Sequence, residues 1–379
     1  MKFDRIPAVF MRGGTSKGVI FRRSDLPADR SSWDPLFLSL MGSPDPYGRQ
    51  LDGMGGSVSS LSKVCVVAPP SHPDADVDYT FAQVMVGEAR VDYSGNCGNM
   101  SSAIGPYAVA EKIVEAADGE AVVRIFNTNT RKLIHATFEV RDGQPVRNGT
   151  LRIPGVSGTG APVRLDFLEP GGATTGRLLP TGNAVDVLDV PGFGSIQASM
   201  VDAANACVFV EAASLGLSGI EMPSRIAEQR QLCHLLEEIR ASASVAMGIT
   251  SNREAAHARR LVPFVGFVAG PMSSATLSGE QIRPDDVDLT VRMISNGQPH
   301  LALPLTASLC TAVAARIPGT LVNRLTRAVP GQGALRIGMP SGVLTVDAEA
   351  GRDRTGAPVA IRGSFFRTAR RLFDGHVYP

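Results

Sequence analysis

One cysteine of this chain has neighbours that suit a reactive thiol. Cys97 lies within Tyr93-Ser-Gly-Asn-Cys-Gly-Asn-Met100, boxed by glycine and asparagine and set directly ahead of an alanine-rich apolar segment. Glycine lets a ligand approach the backbone closely, and a helix N-terminus stabilises a thiolate. The pattern predicts a reactive cysteine, although a buried structural thiol is the commoner state of free cysteine. The other cysteines lie inside apolar runs and are predicted to be structural: Cys65, Cys207, Cys233 and Cys310.

A lysine at the start of an apolar strand is the second candidate for chemistry. Lys63 follows the glycine- and serine-rich stretch from Asp45 to Ser62 and precedes the apolar run Val64 to Val67. Partial desolvation at such a position favours the neutral amine, which is the form that abstracts a proton. Lys63 is therefore the candidate general base. Without the neighbouring loop, an ordinary exposed lysine would be the preferred interpretation.

A third glycine-rich segment, Phe10-Met-Arg-Gly-Gly-Thr-Ser-Lys-Gly18, lacks the GxxxxGK[ST] spacing of a phosphate loop. A strand that ends at Arg12, followed by the hydroxyl groups of Thr15 and Ser16 and by Lys17, has donors that could hold a carboxylate. An ordinary glycine turn is the other interpretation. The residues alone leave both open.

The second half of the chain carries weaker signals. They are Pro180-Thr-Gly-Asn183, His300 and Pro340-Ser-Gly342, each of which is more typical of a turn or a structural histidine. The histidines show no HExxH spacing and no accompanying acid cluster, so no metal site is predicted. No GxSxG elbow is present, and no GxGxxG follows a strand. Proton transfer is the chemistry that remains.

The elements that must position these residues fall into two similar halves. Forty glycines and 26 prolines separate many short apolar runs, which predicts a β-rich chain. Two alanine-rich segments, Met100 to Ala117 and Thr306 to Arg316, are predicted as buried helices, and Ser224 to Ala241 as an amphipathic one. If each half wraps a sheet around one buried helix, a ligand would bind in the cleft that both helix N-termini face. Predicted strands are Val64 to Val67, Tyr79 to Val86, Ala89 to Tyr93, Val122 to Phe126, Lys132 to Val140, Val163 to Phe167, Ser195 to Val201, Cys207 to Glu211, Pro263 to Ala269, Ala334 to Ile337 and Val343 to Val346.

The composition excludes several classes of protein. With 379 residues, 44% hydrophobic, the chain is long enough for two domains with sizeable cores. Thirty-seven Lys and Arg against 36 Asp and Glu leave no basic surplus for nucleic acid. No signal peptide or membrane-spanning run is recognisable, so a cytoplasmic protein with free thiols is expected, and no membrane partner. A homodimer is left open.

The motifs MRGGTSKG, GSPDPYGRQLDGMGG, SKV around Lys63, SGNCGN around Cys97, PTGN, IPGTLVN and PSG occur in one order along nearly the whole chain. Together they resemble the PrpF family of 2-methylaconitate and aconitate isomerases. The resemblance implies an α+β, diaminopimelate epimerase-like fold, with two pseudo-symmetric halves and the active site between them. Each half would be a curled, mostly antiparallel sheet around a central helix. The expected domains are 1–184 and 185–379, and a return of the last strands to the first domain is left open.

The resemblance also implies the function and the site. Lys63 and Cys97 would be the acid/base residues of a cofactor-independent isomerase that acts on a small unsaturated polycarboxylate. It would remove an allylic proton, stabilise the delocalised carbanion through preorganised donors and return the proton. Which of the two residues removes the proton is left open. The expected substrate-binding residues are Arg12, Thr15, Ser16, Lys17, Gln50, Asp52, Ser62, Asn96, Gly98, Asn99, Thr306, Ser341 and Gly342.

Two departures from related sequences bear on the substrate. Thr306 stands where related epimerases place a second catalytic cysteine, and Cys310 lies a turn further on, which disfavours an amino-acid racemase. Met339 stands where a histidine is expected. The alternatives are 4-oxalomesaconate tautomerase on the same scaffold and, from another class, a non-catalytic accessory protein for an aconitase-like dehydratase.

Overall fold

The computed structural model describes residues 5–93, 96–259, 262–295, 297–327 and 333–379. Within these ranges, none of the helices has the length and apolar character needed to cross a bilayer. The strands are β1 (Ile6–Gly13), β2 (Ser16–Arg22), β3 (Lys63–Ala68), β4 (Val77–Val84), β5 (Val91–Asp92), β6 (Gly119–Asn127), β7 (Lys132–Arg141), β8 (Gln144–Pro145), β9 (Val163–Leu168), β10 (Asp186–Val190), β11 (Gly194–Ala203), β12 (Asn205–Glu211), β13 (Phe264–Ala269), β14 (Ser274–Ala275), β15 (Gln281–Ile282), β16 (Leu289–Ser295), β17 (Gln298–Pro299), β18 (Leu335–Met339), β19 (Gly342–Arg352), β20 (Pro358–Arg367) and β21 (Ala369–Val377). The α-helices are α1 (Trp33–Met41), α2 (Gly98–Ala110), α3 (Pro223–Glu228), α4 (Arg230–Ala246), α5 (Arg253–Ala258), α6 (Leu305–Arg316) and α7 (Leu321–Leu325).

Backbone contacts divide the chain into two compact units. The first comprises Met1–Leu168 and Phe366–Pro379, and the second comprises Glu169–Phe365. The last strand, β21, pairs antiparallel with β1 in the first unit. The domain boundary expected from the sequence, between residues 184 and 185, stays a prediction.

The two units repeat one strand topology. In the first, β1 and β2 are antiparallel, β2 and β3 parallel, β3 and β4 antiparallel, β4 and β6 parallel, and β6 and β7 antiparallel. In the second, the same alternation runs through β11, β12, β13, β16, β18 and β19. Helix α2 precedes β6, and α6 precedes the corresponding β18. The α+β architecture and the similarity of the two halves are therefore confirmed.

Helix α2 is buried on all sides from Met100 to Val109, as its alanine-rich sequence predicts. Its glycine permits the packing, because a Cβ at Gly105 would lie 2.8 Å from the side chains of both Ala136 and Phe138 on β7. The prediction that this helix reaches Ala117 was wrong. It ends at Ala110 because Lys112 adopts a left-handed φ of 56°, which stops helical hydrogen bonding.

Other helices cover the opposite sheet faces. In the first unit, α1 buries Trp33, Phe37 and Leu40 against Val19 and Val64. In the second, the predicted helix from Ser224 to Ala241 is two helices, α3 and α4, interrupted at Gln229. The predicted helix from Thr306 to Arg316 is α6, which begins one residue earlier, at Leu305. The sequence prediction missed α1, α5, α7, β2, β8, β10, β14, β15, β16, β17, β20 and β21.

Glu111 joins the end of α2 to two strands of the first unit. One carboxylate oxygen accepts a hydrogen bond from Arg22 at 2.9 Å, and the other accepts one from Arg371. Burial alone would raise the pKa of Glu111, but the hydrogen bonds from the two guanidinium groups lower it below its ordinary value. The ionised carboxylate therefore stabilises this unit.

We expect Glu111→Gln to reduce the free energy of unfolding by about 1 kcal/mol at pH 7, a modest loss because Arg22 is partly exposed. Since folding lowers the pKa of Glu111, its contribution is complete above the unfolded value of about 4.3 and disappears as the pH falls through the folded value. Urea unfolding of both proteins at pH 7 and at about pH 3.5 measures this. A stability difference that is unchanged at the lower pH would contradict it.

Candidate active site

Lys63 is the first residue of β3, and its side chain is almost completely buried, at 7% exposure. Its Nζ donates a hydrogen bond to Oε1 of Gln83 at 2.5 Å and lies 4.9 Å from the centroid of the Phe81 ring. The sequence prediction of a desolvated lysine at the mouth of an apolar strand agrees with this placement.

The strand register puts Lys63 on the sheet face that packs against α2. Lys63 pairs with Gly18 of β2 and Gln83 of β4, and side chains alternate between faces along each strand. Gly18 has no room for a side chain, because a Cβ there would lie 2.8 Å from the Lys63 carbonyl oxygen. Lys63 is thus packed between β2 and β4, and its amine contacts β4.

Cys97 is the N-cap residue of α2 and is half-buried. Its carbonyl oxygen accepts hydrogen bonds from the Ser101 backbone N–H at 2.9 Å and from the Ser101 hydroxyl at 3.0 Å. Its own side chain makes no capping hydrogen bond to the first turn. The N–H groups of a first helical turn have no acceptor within the helix, so Gly98 and Asn99 offer donors to a carboxylate beside the thiol.

A buried thiol connects Lys63 and Cys97. Burial raises the pKa of Cys65 to about 12; the nearby Cys97 adds to this rise, whereas a hydrogen bond with Tyr79 and the charge of Lys63 act in the opposite direction. Both candidate residues are therefore within electrostatic reach of the same sulfur atom. Cys65 itself stays protonated, in agreement with the structural role predicted for it.

The hairpin between β6 and β7 supports the segment ahead of Cys97. Nδ2 of the buried Asn127 donates to Oδ1 of Asn96 at 3.1 Å. Nδ2 of Asn129 donates to the carbonyl oxygens of Phe81 and Tyr93, both at 2.8 Å. These bonds fix the chain on both sides of residues 94 and 95 of the SGNCGN motif, which lie outside the described residues.

The hairpin between β1 and β2 packs on the start of α2. Asn99 accepts a hydrogen bond from the Thr15 N–H at 3.3 Å and donates to the Thr15 hydroxyl at 3.1 Å. Its Oδ1 also accepts from Nε of Arg367 at 3.2 Å, and burial lowers the pKa of this arginine to about 10. A Cβ on Gly14, whose φ is +52°, would overlap the Asn99 side chain. Glycine is therefore required at positions 13 and 14, because the hairpin backbone approaches Asn99 too closely for a side chain.

The predicted carboxylate clamp is divided between two sheet faces. Ser16 is buried on the face of Lys63, whereas Arg12 and Lys17 alternate onto the other face. Arg12 donates to the carbonyl oxygens of Gly14 and Thr368, at 2.8 and 2.9 Å, and Lys17 lies 5.8 Å from the Phe10 ring centroid. The structure brings Thr15 to Asn99 at the start of α2 and buries Ser16, whereas Lys17 lies on the other face.

Gln50 and Ser62 hold the glycine-rich loop together. Oε1 of Gln50 accepts from the Ser62 hydroxyl at 2.7 Å and from the Ser57 N–H at 2.9 Å, and its Nε2 donates to Ser43 at 2.9 Å. Both Gln50 and Ser62 are buried, so their polar atoms are used inside the loop that leads to Lys63. Asp52 is exposed at the loop surface.

The predicted site residues of the second unit are described within that unit only. Thr306 is exposed in the first turn of α6, and Gly342 pairs with Met339 across the β18–β19 turn. The Ser341 hydroxyl is buried without a hydrogen-bond partner among the described residues. Met339 sulfur accepts a hydrogen bond from the Leu303 N–H at 3.3 Å.

The second unit has no counterpart of the Lys63 and Cys97 pair at the equivalent positions. Its α6 is capped by Pro304, and β13 begins at Phe264. Cys310 is fully buried and donates to the Val201 carbonyl at 3.3 Å, so it packs as a structural thiol. Burial lowers the pKa of His300. Across the described ranges, no three His, Cys, Asp or Glu side chains are grouped so that they could hold a metal ion.

Several residues of the site were missed by sequence reasoning. Gln83 and Phe81 contact Lys63, Asn127 and Asn129 support the cysteine segment, and Arg367 contacts Asn99. A glutamine in the apolar run of β4 and two asparagines in one hairpin turn were visible signals. The contact of Arg367 had no local signal, because 268 residues separate it from Asn99.

Comparisons with known proteins identify the family of the chain. A family profile described as PrpF protein matches residues 3–379. The chain is 44% identical to 3-methylitaconate isomerase of Eubacterium barkeri, over 99% of this chain and 97% of that protein. It is 40% identical to 2-methyl-aconitate isomerase of Shewanella oneidensis, over 98% and 96%. It is 35% identical to (4E)-oxalomesaconate Delta-isomerase of Novosphingobium sp., over 99% and 98%.

Solved structures confirm the fold. A methylitaconate-delta-isomerase crystal structure superimposes with a TM-score of 0.91 at 43% identity, covering 99% of this chain and 96% of that one. A hydroxyproline epimerase from Agrobacterium vitis has a TM-score of 0.51 at 13% identity, covering 100% and 94%. The second likeness concerns the fold alone and confirms the predicted diaminopimelate epimerase-like class.

Gly14→Ala tests whether the hairpin must approach α2. We expect its free energy of unfolding to fall by about 1–3 kcal/mol more than that of Gly143→Ala. Both glycines have a positive φ, but no atom lies within 4 Å of a Cβ placed on Gly143. Thermal unfolding and turnover of the two variants provide the measurement, and equal losses in both would show that backbone strain alone matters at Gly14.

Proposed function

The chain belongs to the PrpF family and is an isomerase, and we propose that it isomerises a small unsaturated di- or tricarboxylate of the 2-methylaconitate or aconitate type without a cofactor. Relatives at 40–44% identity over nearly the whole chain are named for 2-methyl-aconitate and 3-methylitaconate. Each of these substrates carries carboxylates next to a carbon–carbon double bond. The chemical problem is therefore the removal of a weakly acidic allylic proton.

Lys63 and Cys97 are the proposed acid/base pair. The observation that supports the proposal is that Lys63, a buried amine at the start of β3, and Cys97, the N-cap residue of α2, are both electrostatic neighbours of the buried Cys65. One of them takes the proton from the allylic carbon, and the electron pair delocalises over the double bond onto a carboxylate. One of them then returns a proton, either at the far end of the allyl system or after rotation about the bond.

The N-terminus of α2 is the proposed carboxylate site. The N–H groups of Gly98 and Asn99 stabilise the charge that develops on the substrate, because preorganised dipoles act without reorganisation. Thr15, Ser16 and Asn96 belong to the same neighbourhood. Thr306, Ser341 and Gly342 of the second unit are proposed as further substrate-binding residues. Arg12, Lys17, Gln50, Asp52 and Ser62 then act through the loops that they shape rather than by direct contact.

4-Oxalomesaconate is the second candidate substrate. A named oxalomesaconate isomerase is 35% identical to this chain over nearly its full length, and the same acid/base pair would serve a tautomerisation. The lower identity favours the methylaconitate type. The two substrates differ by the oxalo group of one and the methyl group of the other, so the shape of the pocket and the placement of its polar groups decide between them.

Proton exchange provides the direct test of the reaction. The protein incubated in D2O with 2-methylaconitate, trans-aconitate, 3-methylitaconate or 4-oxalomesaconate is expected to put deuterium at the allylic carbon of its own substrate, as followed by NMR. Exchange should accompany or precede isomerisation. If no polycarboxylate exchanged or isomerised, the proposal would fail, and the accessory-protein alternative would regain support.

Substitution of each member of the pair tests its role. We expect Lys63→Ala and Cys97→Ser each to lower kcat about 10²- to 10⁴-fold, the range typical of a lost general acid or base. Lys132→Ala and Cys233→Ser are the controls, since Lys132 is exposed at the start of β7 and Cys233 lies on α4. Both controls should turn over normally. Unchanged turnover in Lys63→Ala would remove this lysine from the mechanism.

A further inference from the structure

We propose that Gln83 is a positioning residue that fixes the direction and the proton occupancy of the Lys63 amine. The inference deepens the proposed function and rests on it, because it concerns the residue that we assign to proton transfer. Gln83 contacts the lysine rather than the reacting atoms. It is the cross-strand partner of Lys63, so the sheet register brings the two side chains together.

The carboxamide of Gln83 can present only its oxygen to the lysine. Its Nε2 donates to the carbonyl oxygens of Ser59 at 3.0 Å, Ser62 at 3.1 Å and Val84 at 3.3 Å. Reversal of the amide would place its oxygen against these three acceptors. The Oε1 atom is therefore held towards Lys63, whose Nζ donates to it at 2.5 Å.

A lysine that transfers protons must be able both to bind a proton and to release it, so the group that contacts its amine matters. The buried Lys63 amine has two fixed neighbours, the Gln83 oxygen, which accepts its hydrogen bond, and the Phe81 ring face, whose centroid lies 4.9 Å from Nζ. A neutral acceptor binds an ammonium group less strongly than a carboxylate would. Glutamine in this position therefore holds the amine without adding a second charge, and one fixed N–H direction orients the rest of the amine.

Other titratable groups lie near Lys63 on this side of the sheet, and some of them do not change charge in the neutral pH range. Cys65 on β3 and Tyr79 on β4 are fully buried, and burial raises the pKa of both, to about 12 for Cys65. They keep their protons through the neutral range. Two further groups belong to this neighbourhood: Cys97 at the start of α2, and Asp92 on β5, which is the cross-strand partner of Gln83 and forms an ion pair with Arg90 at 3.5 Å.

Gln83→Glu and Gln83→Leu test the inference in opposite directions. The chain has five lysines: Lys2, Lys17, Lys63, Lys112 and Lys132. An NMR titration of protein labelled with ¹³C at lysine Cε therefore gives few signals, and the signal that is lost in Lys63→Ala is that of Lys63. We expect the Lys63 midpoint to rise by about one pH unit or more in Gln83→Glu, because a carboxylate stabilises the ammonium. In Gln83→Leu, which has no acceptor, it should fall.

The pH dependence of turnover should shift in the same direction as the Lys63 midpoint in each variant. The limb of the pH–rate profile that depends on Lys63 should move up in Gln83→Glu and down in Gln83→Leu, whether the lysine acts as base or as acid. At the optimum pH, kcat should fall about 10- to 100-fold in Gln83→Leu, the cost of a misdirected catalytic group, with a smaller change in KM. Gln197→Glu is the control, since Gln197 is exposed on β11 and its substitution adds the same charge in the other unit.

Two outcomes separate this inference from the proposed function. An inactive Lys63→Ala together with unmoved Lys63 midpoints and normal kcat in both Gln83 variants would overturn the role of Gln83 alone. Full activity in Lys63→Ala would overturn the catalytic assignment, whatever the NMR midpoints show. Circular dichroism and thermal unfolding identify a variant that does not fold, and the NMR titration of the remaining folded variant then decides.

Discussion

The close packing of α2 within its own sheet is the constraint on which the candidate site depends. Every residue of this helix from Met100 to Val109 is buried, and Gly105 permits its contact with β7. A helix held on all sides cannot shift along its axis without creating voids or overlaps. Its N-terminus, and with it Cys97, is therefore fixed relative to β3 and Lys63. The glycines at 14 and 18 extend the same constraint to the β1–β2 hairpin and to the strand beside Lys63.

Polar residues of the first unit divide into those that build loops and those that face the site. Gln50, Ser62, Asn127 and Asn129 have their hydrogen bonds to other loop and strand atoms. Buried polar groups of this kind make a loop conformation unique, because each lost partner leaves an unsatisfied donor or acceptor. The glycine-rich loop is thus held in one conformation at its base, directly ahead of Lys63.

The helices and strands that could be predicted from the sequence are those with a clear apolar periodicity within their own residues. The alanine-rich α6 and the alternating β6 and β7 were predicted correctly. Burial on one side or on all sides of an element produces a recognisable pattern of apolar residues in its own sequence. Helix α1 and strand β21 were missed: α1 is short, with Pro35 in its first turn, and β21 exposes most of its side chains. Gln83 was missed because its contact with Lys63 depends on register between two strands, which no local pattern specifies. The predicted contact of Gln50 with substrate stays a prediction, because a polar residue in a glycine-rich loop has the same sequence signal whether it binds a ligand or the loop itself, and Gln50 has hydrogen bonds within the loop.

The asymmetry of the two units bears on the kind of reaction. Both units repeat one topology, yet the N-cap residue is Cys97 in α2 and Pro304 in α6, Thr306 follows Pro304 where a cysteine would be needed, and β13 begins at Phe264 where β3 begins at Lys63. Inversion at a carbon centre needs one proton-transfer group on each face of that centre. A shift within an allyl system does not, because the proton can leave from one carbon and return to another on the same face. A single unit that carries both Lys63 and Cys97 is therefore sufficient for the proposed isomerisation, whereas it would lack the opposing group that a racemase requires.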